Sequence, residues 1–444
     1  MQPPKRSGEP RSAGQRWSEA QAEGELRSLE LFGMRFGLDR MRRMMTVLGS
    51  PEQAYPAIQV LGTNGKSSTT RMTAAILARH GLRTGAYTSP HLLAWRERIL
   101  LDERELDPES FAEAIARASW AAERVNRTLA EGDHVTQFEL VTAAALWQMA
   151  ERQVEVAVIE AGLGGRYDAT SVIGAGVTVL TNVGLEHTRW LGPTVTDIAE
   201  EKLAVVRRGA ALVLGRGLDP DALAVARRIS AEQAAPITVA EPLEEHLELR
   251  ARGSFQRLNF ALARAAAGAH LARIGRALDE RAVAAAAAQT AVPGRLQLIG
   301  EDPPTILDGA HNPDAVRALV GALPELLEGR PVGLVLGVLE DKDSVSMLRQ
   351  LIAISERAWF TAPPSARALS PAALESQALR LGFAHSSCEP RPERALRAAR
   401  EWARARGAVV LATGSVYLVG ELLARSEGSG RLDGDAVRSG SSPR

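Results

Sequence analysis

Short, nearly continuous apolar stretches alternate along the chain with longer stretches in which apolar residues recur every three or four positions. The short stretches are typical of strands buried on both faces of a parallel sheet, and the longer ones of amphipathic helices. In the first two thirds of the chain, strands are predicted at residues 59–61, 82–88, 154–159 and 177–181, and helices at 67–80, 111–129, 138–149 and 195–207. Two shorter helices are predicted between residues 24 and 48. The alternation predicts an α/β domain on a mostly parallel sheet.

The same alternation continues in the last third of the chain, where strands are predicted at 305–307, 332–336 and 408–411. Pro293, Gly294 and Arg295 interrupt an alanine-rich helix and mark a domain boundary. The predicted organisation is an N-terminal domain at 21–294 and a smaller α/β domain at 295–425. Residues 1–20 and 426–444 are rich in Gly, Ser and Arg with little to bury, which predicts a disordered lead-in and a disordered, solvated tail.

Composition narrows the class of protein. The chain has 444 residues, and its 53 basic and 53 acidic side chains cancel, so no overall charge attracts nucleic acid or an anionic membrane. The single cysteine, Cys388, cannot form an internal disulfide, which indicates a reducing compartment. The N-terminus lacks the apolar segment of a signal peptide or membrane anchor. These features predict a cytoplasmic enzyme.

A glycine-rich turn followed by a lysine and hydroxyl residues, GTNGKSS at residues 62–68, follows the first apolar strand. Gly62 and Gly65 allow a tight turn whose N–H groups point inward, and Lys66 can then reach phosphate oxygens. A strict P-loop has a glycine five positions before Gly65, where Val60 stands, so only the second half of the motif is met. The alternative is an ordinary strand-turn-helix corner with a solvated lysine.

Polar side chains also follow two later strands. Glu160 ends the strand at 154–159, where open α/β sheets bind ligands, and a carboxylate there suits magnesium. His187 follows the strand at 177–181, which we expect to neighbour the strand that carries Glu160. A neutral imidazole can bind a cation, so His187 is a candidate metal ligand, although it could equally be a buried, hydrogen-bonded histidine.

Several motifs in a fixed order are more specific than any one of them. They are GTNGKSS (62–68), TQFE (136–139), EAGLGGR (160–166), NVGLEHT (182–188) and LDGAHNP (307–313). Together they resemble the folylpolyglutamate/dihydrofolate synthase branch of the Mur ligase superfamily, over about residues 25–424. The resemblance implies a P-loop-type ATPase domain followed by a smaller Rossmann-like domain, two magnesium ions, and a monomer.

The resemblance also implies roles for individual residues. The expected nucleotide contacts are Thr63, Asn64, Gly65, Lys66, Ser67, Ser68, Asn259, Arg295, Asp308, Gly309, Ala310 and His311. The expected metal ligands are Ser68, Ser89, Glu160, His187 and a Lys202 carbamylated by carbon dioxide. The expected contacts of the pterin substrate are Thr136, Gln137, Phe138, Glu139, Tyr167, Asp168 and Ala169. Lys66, His187 and Lys202 are the expected catalytic residues.

Several of these residues have a simpler structural explanation. Thr136 and Glu139 also fit a helix N-cap with its capping box. Ser89 fits a Ser-Pro turn, Asn259 an exposed amide at a helix start, and Lys202 a helix-surface lysine paired with neighbouring glutamates. The stretch at 340–343, Glu-Asp-Lys-Asp, fits a helix cap and is assigned no catalytic role.

The function implied is an ATP-dependent ligase that joins L-glutamate to dihydropteroate or a reduced folate through an acyl phosphate. One alternative is a cell-wall Mur ligase with the same chemistry, which the 61 residues ahead of Gly62 disfavour because they leave little room for a nucleotide-sugar domain. Another is a nucleotide-binding regulatory module that does not ligate, since Ser67 stands where this branch usually has glycine.

Overall fold

The computed structural model describes residues 16–29 and 37–435, with side chains described as far as Ser426. Its strands form two separate sheets, one of eight strands and one of six. The first sheet contains β1 (Ala57–Leu61), β2 (Thr84–Tyr87), β3 (Ile99–Leu101), β4 (Arg104–Glu105), β5 (Val156–Glu160), β6 (Ala175–Leu180), β7 (Ala211–Leu214) and β8 (Ile237–Val239). The second contains β9 (Gln297–Glu301), β10 (Pro304–Leu307), β11 (Val332–Leu336), β12 (Arg357–Phe360), β13 (Ser386–Cys388) and β14 (Val409–Thr413). The predicted fold of two mostly parallel α/β domains is confirmed.

Helices cover both sheets. With the first sheet lie α1 (Glu19–Ser28), α2 (Asp39–Leu48), α3 (Lys66–Arg79), α4 (Pro108–Asn126), α5 (Gln137–Glu151), α6 (Thr188–Leu191), α7 (Val195–Leu203), α8 (Pro220–Gln233), α9 (Ser254–Arg273) and α10 (Glu280–Gln289). With the second lie α11 (Pro313–Ala322), α12 (Pro324–Leu327), α13 (Ser344–Ile352), α14 (Pro371–Arg380), α15 (Pro392–Arg404) and α16 (Val416–Asp435). In the part of the chain that is described, none of these helices is long and apolar enough to cross a bilayer.

The order of strands in the first sheet decides which loops meet. The order is β4-β3-β2-β5-β1-β6-β7-β8, and β1 pairs in parallel with both β5 and β6. Because parallel strands end at one edge of a sheet, the turn after β1, Glu160 at the end of β5 and the segment after β6 lie along the same edge. The expectation that β5 and β6 are neighbours is wrong, since the fully buried β1 lies between them.

The second sheet has the order β13-β12-β11-β14-β10-β9, and only β9 runs antiparallel to its neighbour. Its central strand β14 pairs with β10 and β11, so that the turns after β10 and β11 lie at one edge. Buried aliphatic residues on one face of the sheet pack against α11, α13 and α14, and those on the other face against α15 and α16. The turns after β10 and β11 contact the first domain.

Two described helices extend into the segments predicted as lead-in and tail. α1 begins at Glu19, inside the predicted lead-in, because Ser18 and Gln21 form a capping box. α16 continues to Asp435, beyond the predicted start of the tail at residue 426, because a helix that has begun against a packed surface gains one hydrogen bond per added residue. Residues 1–15 and 436–444 of the predicted lead-in and tail lie outside the described residues.

Candidate active site at the domain interface

The glycine-rich turn after β1 surrounds the side chain of Lys66. Gly62 (φ 144°) and Gly65 (φ 83°) adopt positive φ angles that residues with side chains rarely take. Lys66 begins α3, and its Nζ donates to the carbonyl oxygens of Gly62 (3.0 Å) and Thr63 (2.9 Å). The alternative of a solvated lysine does not fit, because this ammonium is half-buried and bonded to the turn. The ammonium and the free N–H groups of α3 form a cradle suited to phosphate.

Asn259 of α9 packs directly against this turn. A Cβ atom on Gly65 would lie 2.3 Å from Asn259 Oδ1, so only glycine allows this approach. Asn259 Nδ2 donates to Gln256 Oε1 at 3.0 Å. The alternative of an exposed amide at a helix start is wrong, because α9 begins at Ser254 and Asn259 is only 8% exposed. Its contact with an adenine base stays a prediction.

Glu160 lies buried beside the turn with a partner on each carboxylate oxygen. Oε1 accepts the Ser67 hydroxyl (2.9 Å), and Oε2 accepts the backbone N–H of Ser89 (3.0 Å). Burial raises the pKa of Glu160, while the charge of Lys66 acts to lower it. The hydroxyl at this carboxylate is therefore that of Ser67, whereas Ser68 is buried in α3. Of the expected metal ligands, Ser89 and Glu160 are therefore adjacent, whereas the hydroxyl at the carboxylate comes from Ser67, which was expected as a nucleotide contact, and not from Ser68.

Glu186 is the centre of a charged cluster between the two domains. Its Oε1 lies 3.0 Å from Lys342 Nζ, 3.7 Å from His311 Nε2 and 3.8 Å from His187 Nε2. Lys342 follows β11 of the second domain, and Glu186 follows β6 of the first. From the sequence, Lys342 has no predicted role beyond a helix cap, and its place in a charged stretch at a strand-to-helix turn is the signal that could have found it.

Electrostatics identify Lys342 as the cation of this cluster. Burial acts to raise the pKa of Glu186, but Lys342 and, with smaller effects, His311, Lys66 and His187 together outweigh it, and the pKa falls to about 2. Burial, together with Lys342, lowers the pKa of His311 to about 4, and burial lowers that of His187. Both imidazoles are therefore neutral at neutral pH, and the pair that carries charge across the interface is Glu186 with Lys342.

We expect Glu186→Gln to destabilise the protein at neutral pH and to lose that effect in acid. The shift from 4.5 to about 2 corresponds to about 3 kcal/mol at about 1.4 kcal/mol per pKa unit. Because the folded pKa is the lower one, this stability is present above about pH 4.5 and is lost as the pH falls towards 2. Urea unfolding of wild type and variant between pH 7 and 2 measures it. If the difference in unfolding free energy between wild type and variant does not shrink in acid, the lowered pKa of Glu186 is contradicted.

Lys202 reaches the same turn from α7. It is 5% exposed, and its Nζ donates to the Gly62 carbonyl oxygen at 2.9 Å, the same oxygen that Lys66 contacts. The alternative of a helix-surface lysine is wrong, because the side chain points inward. Burial, together with the charge of Lys66, lowers the pKa of Lys202 to about 7. A substantial fraction of this amine is therefore neutral and nucleophilic at neutral pH.

Three of the residues predicted to contact the pterin at 136–139 form hydrogen bonds within the protein. Thr136 caps α5 and forms a capping box with Glu139, as the simpler explanation predicts. Glu139 also accepts from Arg40 Nε with both oxygens (3.0 Å each) and so fastens α2 to α5. Gln137 Nε2 donates to the Leu26 carbonyl of α1 at 2.6 Å. A substrate contact by Thr136, Gln137 or Glu139 stays a prediction that these bonds do not favour.

The loop after β5 carries the other predicted pterin contacts, Tyr167, Asp168 and Ala169. A Cβ atom on Gly162 would lie 2.5 Å from the ring of Phe138, so the loop and this ring are in close contact. Asp168 is buried and accepts the backbone N–H groups of Leu163 (2.8 Å) and Thr170 (2.9 Å), which fixes the loop. Ala169 is also buried, whereas Tyr167 is 46% exposed. Of the predicted pterin contacts in this loop, Tyr167 is the one open to a ligand.

Asp308 directly follows β10 and organises the turn there. Its Oδ1 accepts the Ala310 N–H (2.8 Å) and its Oδ2 the Leu296 N–H (2.9 Å), and it is 3% exposed. Gly309 is close to Arg295, whose Nη1 lies 2.5 Å from the position of a Cβ on that glycine. Asp308 therefore fastens the turn to the start of the second domain, and its predicted ribose contact stays a prediction.

Direct contacts join this turn to the glycine-rich turn. Asn64 and Asn312 exchange amide hydrogen bonds across the interface, with Nδ2 to Oδ1 distances of 3.2 and 2.9 Å. A Cβ atom on Gly184 would lie 2.5 Å from Asp314 Oδ2, so the chain after β6 also lies against α11. The predicted nucleotide contacts of the two domains, Asn64 and His311 among them, therefore lie on facing surfaces.

A preformed metal cage is not present. Over residues 16–29 and 37–435, no group of three or more His, Cys, Asp or Glu side chains is arranged to hold a metal ion. Magnesium, however, commonly takes one or two carboxylates and completes its shell with waters and phosphates. Glu160 with the Ser67 hydroxyl and the Ser89 residue offers such an open set, and the donors are the hard oxygens that magnesium prefers.

Comparisons with known proteins identify the family of both domains. The model of the Mur ligase middle domain matches residues 60–216, and that of the Mur ligase glutamate ligase domain matches residues 294–416. The folylpolyglutamate synthase of Lacticaseibacillus casei is 34% identical over 362 residues, covering 76% of this chain and 84% of that protein. The dihydrofolate synthase/folylpolyglutamate synthase of Bacillus subtilis is 30% identical over 419 residues, covering 89% and 96%.

A solved structure is similar along nearly the whole chain. The Mycobacterium tuberculosis folylpolyglutamate synthase complexed with ADP superposes with a TM-score of 0.86 at 29% identity, covering 92% of this chain and 98% of that one. Two matched domains, close relatives in sequence and a shared fold all agree with the motif order found in the sequence. The chain belongs to the folylpolyglutamate synthase/dihydrofolate synthase family of the Mur ligase superfamily.

Proposed function

We propose that the protein is an ATP-dependent ligase that joins L-glutamate to the carboxylate of dihydropteroate, of a reduced folate, or of both. Family membership supports the proposal, since relatives are named for both activities. The observation that carries it is that Lys66, Lys202 and Glu160 meet around one turn that faces the second domain. We expect a cytoplasmic monomer that needs no nucleic acid.

The reaction follows from the weakness of a carboxylate as an acylating agent. An oxygen of the pterin substrate's carboxylate attacks the γ-phosphorus of ATP, ADP leaves, and an acyl phosphate results. The glutamate nitrogen then attacks the acyl carbon, phosphate leaves, and the amine loses a proton. Lys66 and the N–H groups at the start of α3 face the oxygens on which negative charge develops. Closure of the second domain over the turn keeps water from the acyl phosphate.

Magnesium is the ion that the donor set fits. Glu160 would hold it together with Ser89 and the hydroxyl of Ser67 or Ser68, and His187 with a carbamylated Lys202 would hold a second ion. When bound, magnesium neutralises phosphate charge. The buried carboxylate of Glu160 would gain a cation that offsets the cost of its burial.

The test of the proposal is product analysis. The protein is incubated with ATP, magnesium and L-glutamate, and with either dihydropteroate or a reduced folate, and products are resolved by mass. A product heavier by one glutamate residue is expected with at least one of the two acceptors. ATP turnover without an amide product would instead favour a regulatory module. This module is the second candidate because Ser67 stands in the turn where the family usually has glycine.

We expect Asp308→Ala to raise the KM for ATP while sparing that for glutamate. The loss of Asp308 frees the turn at residues 308–311 from the Leu296 N–H, and this turn is the part of the second domain proposed to face the nucleotide. Initial rates at varied ATP measure the effect, with Asp308→Asn as a control that keeps one acceptor oxygen. An unchanged ATP dependence in a folded variant counts against nucleotide binding by the second domain.

A further inference from the structure

A small cavity lies between the P-loop helix α3 and the linker into the second domain. Its volume is about 30 Å³, close to the volume of about 30 Å³ that one molecule occupies in liquid water. Ser67, Arg71, His91 and Arg295 are among the residues that line it. Since Ser67 also donates to Glu160, the cavity borders the proposed metal site.

Arg71 is the side chain of this cavity that the proposed chemistry does not use. It lies one helical turn after Ser67 and therefore on the same face of α3. It is half-buried, yet its guanidinium makes no hydrogen bond or ion pair with any residue that the structure describes. A partly buried cation with no partner is costly unless a ligand supplies one.

Two of the three carboxylates that act on Arg71 are held by other groups. Glu97 accepts three backbone N–H groups, those of Leu92 (2.8 Å), Leu93 (2.6 Å) and Ala94 (2.6 Å), and so fixes its own loop. Glu160 is held by Ser67 and by the N–H of residue 89. Glu105, which acts most strongly on Arg71, and these two carboxylates lower the cost of the arginine's charge at a distance. None of the three forms the planar, two-bond contact that a guanidinium can make.

A second guanidinium lines the same cavity. Arg295 uses one N–H for its neighbour's carbonyl oxygen, at 2.9 Å from Gly294 O. Burial is the main cause that lowers the pKa of Arg71, and the charges of Glu105, Glu97 and Glu160 act to raise it. Arg295 has a smaller lowering effect, because the two cations repel each other. His91 accepts from Arg98 Nε (3.0 Å) and, with a pKa lowered to about 3 by burial, adds no charge. An anion in the cavity would relieve the repulsion.

We propose that Arg71, with Arg295, binds a substrate carboxylate in this cavity, next to the site of acyl transfer. The proposal rests on the proposed function, which supplies two sources: the incoming L-glutamate, or the α-carboxylate of the glutamyl tail of a folate. The fork of a guanidinium matches the two oxygens of a carboxylate. The small volume admits the end of a ligand. The phosphates of ATP are assigned to Lys66, and because Arg295 is also an expected nucleotide contact, Arg71 is the guanidinium of this cavity that is left for the carboxylate.

The test is steady-state kinetics of Arg71→Met with each acceptor. If the cavity binds glutamate, the KM for glutamate rises about tenfold or more with dihydropteroate and with tetrahydrofolate alike. If it binds the glutamyl tail, the KM for tetrahydrofolate rises and that for dihydropteroate, which has no tail, stays unchanged. Either result supports a carboxylate site and identifies its source. KM values that all stay within about twofold of wild type, or a loss confined to kcat, overturn the proposal.

Two variants control for charge and folding. Arg71→Lys keeps the charge but not the fork, so its KM should lie between those of wild type and Arg71→Met. Arg397→Met removes one positive charge from an exposed position on α15 and should change no parameter. If Arg71→Met does not fold, Arg71→Lys and Arg71→Gln take its place, and KM values unchanged in both overturn the proposal.

A binding measurement separates this proposal from the proposed function. Glutarate has two carboxylates but no amine, so it can bind without reacting. We expect glutarate to raise the melting temperature of the wild-type protein and to have no effect on Arg71→Met. If the wild type forms no amide product with either acceptor, the proposed function fails. The shift in melting temperature with glutarate still tests whether the cavity binds a carboxylate. The absence of a shift in wild type overturns the proposal.

Discussion

Lys66→Ala is expected to abolish ligation while leaving the protein folded. The ammonium of Lys66 contacts only the carbonyl oxygens of the turn, at 3.0 and 2.9 Å, and adds little packing. In the proposed reaction its charge faces the phosphoryl group in transfer, and loss of one such donor lowers kcat by about 10² to 10³. The measurement is product formation at saturating ATP, beside the melting temperature.

Lys66→Arg is the matched control for this experiment, because it keeps the positive charge but cannot fold back over the turn in the same way. We expect it to be impaired less than Lys66→Ala. The two lost hydrogen bonds cost about 0.5 to 1.5 kcal/mol each, so the melting temperature of Lys66→Ala should fall only slightly. Activity of a folded Lys66→Ala protein within about tenfold of wild type, which is about 1.4 kcal/mol of barrier, would remove the phosphate role from this turn.

Local patterns explain why much of the fold could be predicted. The turn between β1 and α3, the cap of α5 at Thr136 and the buried strand that ends in Glu160 each depend on residues close in sequence. Tight turns at glycine, helix caps and buried strands each depend on a few neighbouring residues, so they can be predicted from the sequence. The capping box of Thr136 and Glu139 also predicted correctly that these side chains are engaged within α5.

Contacts between distant segments could not be predicted in the same way. Glu186 and Lys342 are 156 residues apart, and nothing in either neighbourhood reveals the other. The separation of β5 from β6 by β1 likewise depends on strand order, which the apolar pattern does not encode. Lys202 lies in a run of charged residues typical of an exposed face, and only the tertiary structure turns it towards Gly62.

We expect Lys202→Ala to lose most of its turnover and to keep its fold. In the structure, the Lys202 and Lys66 amines both donate to the Gly62 oxygen, so two cations share one acceptor. Burial and Lys66 lower the pKa of Lys202 to about 7, which leaves a neutral amine able to attack carbon dioxide. Addition of the neutral amine to carbon dioxide, with loss of one proton, would give a negatively charged carbamate. Relative to the protonated lysine, two protons are lost and a positive charge is replaced by a negative one. Its oxygens are ligands of the kind that magnesium prefers.

The pH dependence of stability gives a readout that does not need activity. The folded pKa of about 7 lies below the ordinary value of 10.5, so the unfolded chain binds more protons between these values. Without the carbamate, wild-type stability should therefore gain from this group as the pH rises from about 7 to about 10.5. Lys202→Ala should lack that gain. Urea unfolding in carbon-dioxide-free buffer measures the difference between the two proteins.

Carbamylation itself is tested by chemical rescue and by direct detection. Acetate or another small carboxylate should restore part of the turnover of Lys202→Ala, because it can place oxygens where the carbamate would stand. Lys202→Arg keeps a cation at this place and cannot take up carbon dioxide, so it should be inactive and should not respond to acetate. Labelled bicarbonate should give a carbamate carbon signal in the wild type that both variants lack. Full activity of Lys202→Ala, or a high-resolution map with a plain ammonium beside two bound metals, contradicts the carbamate.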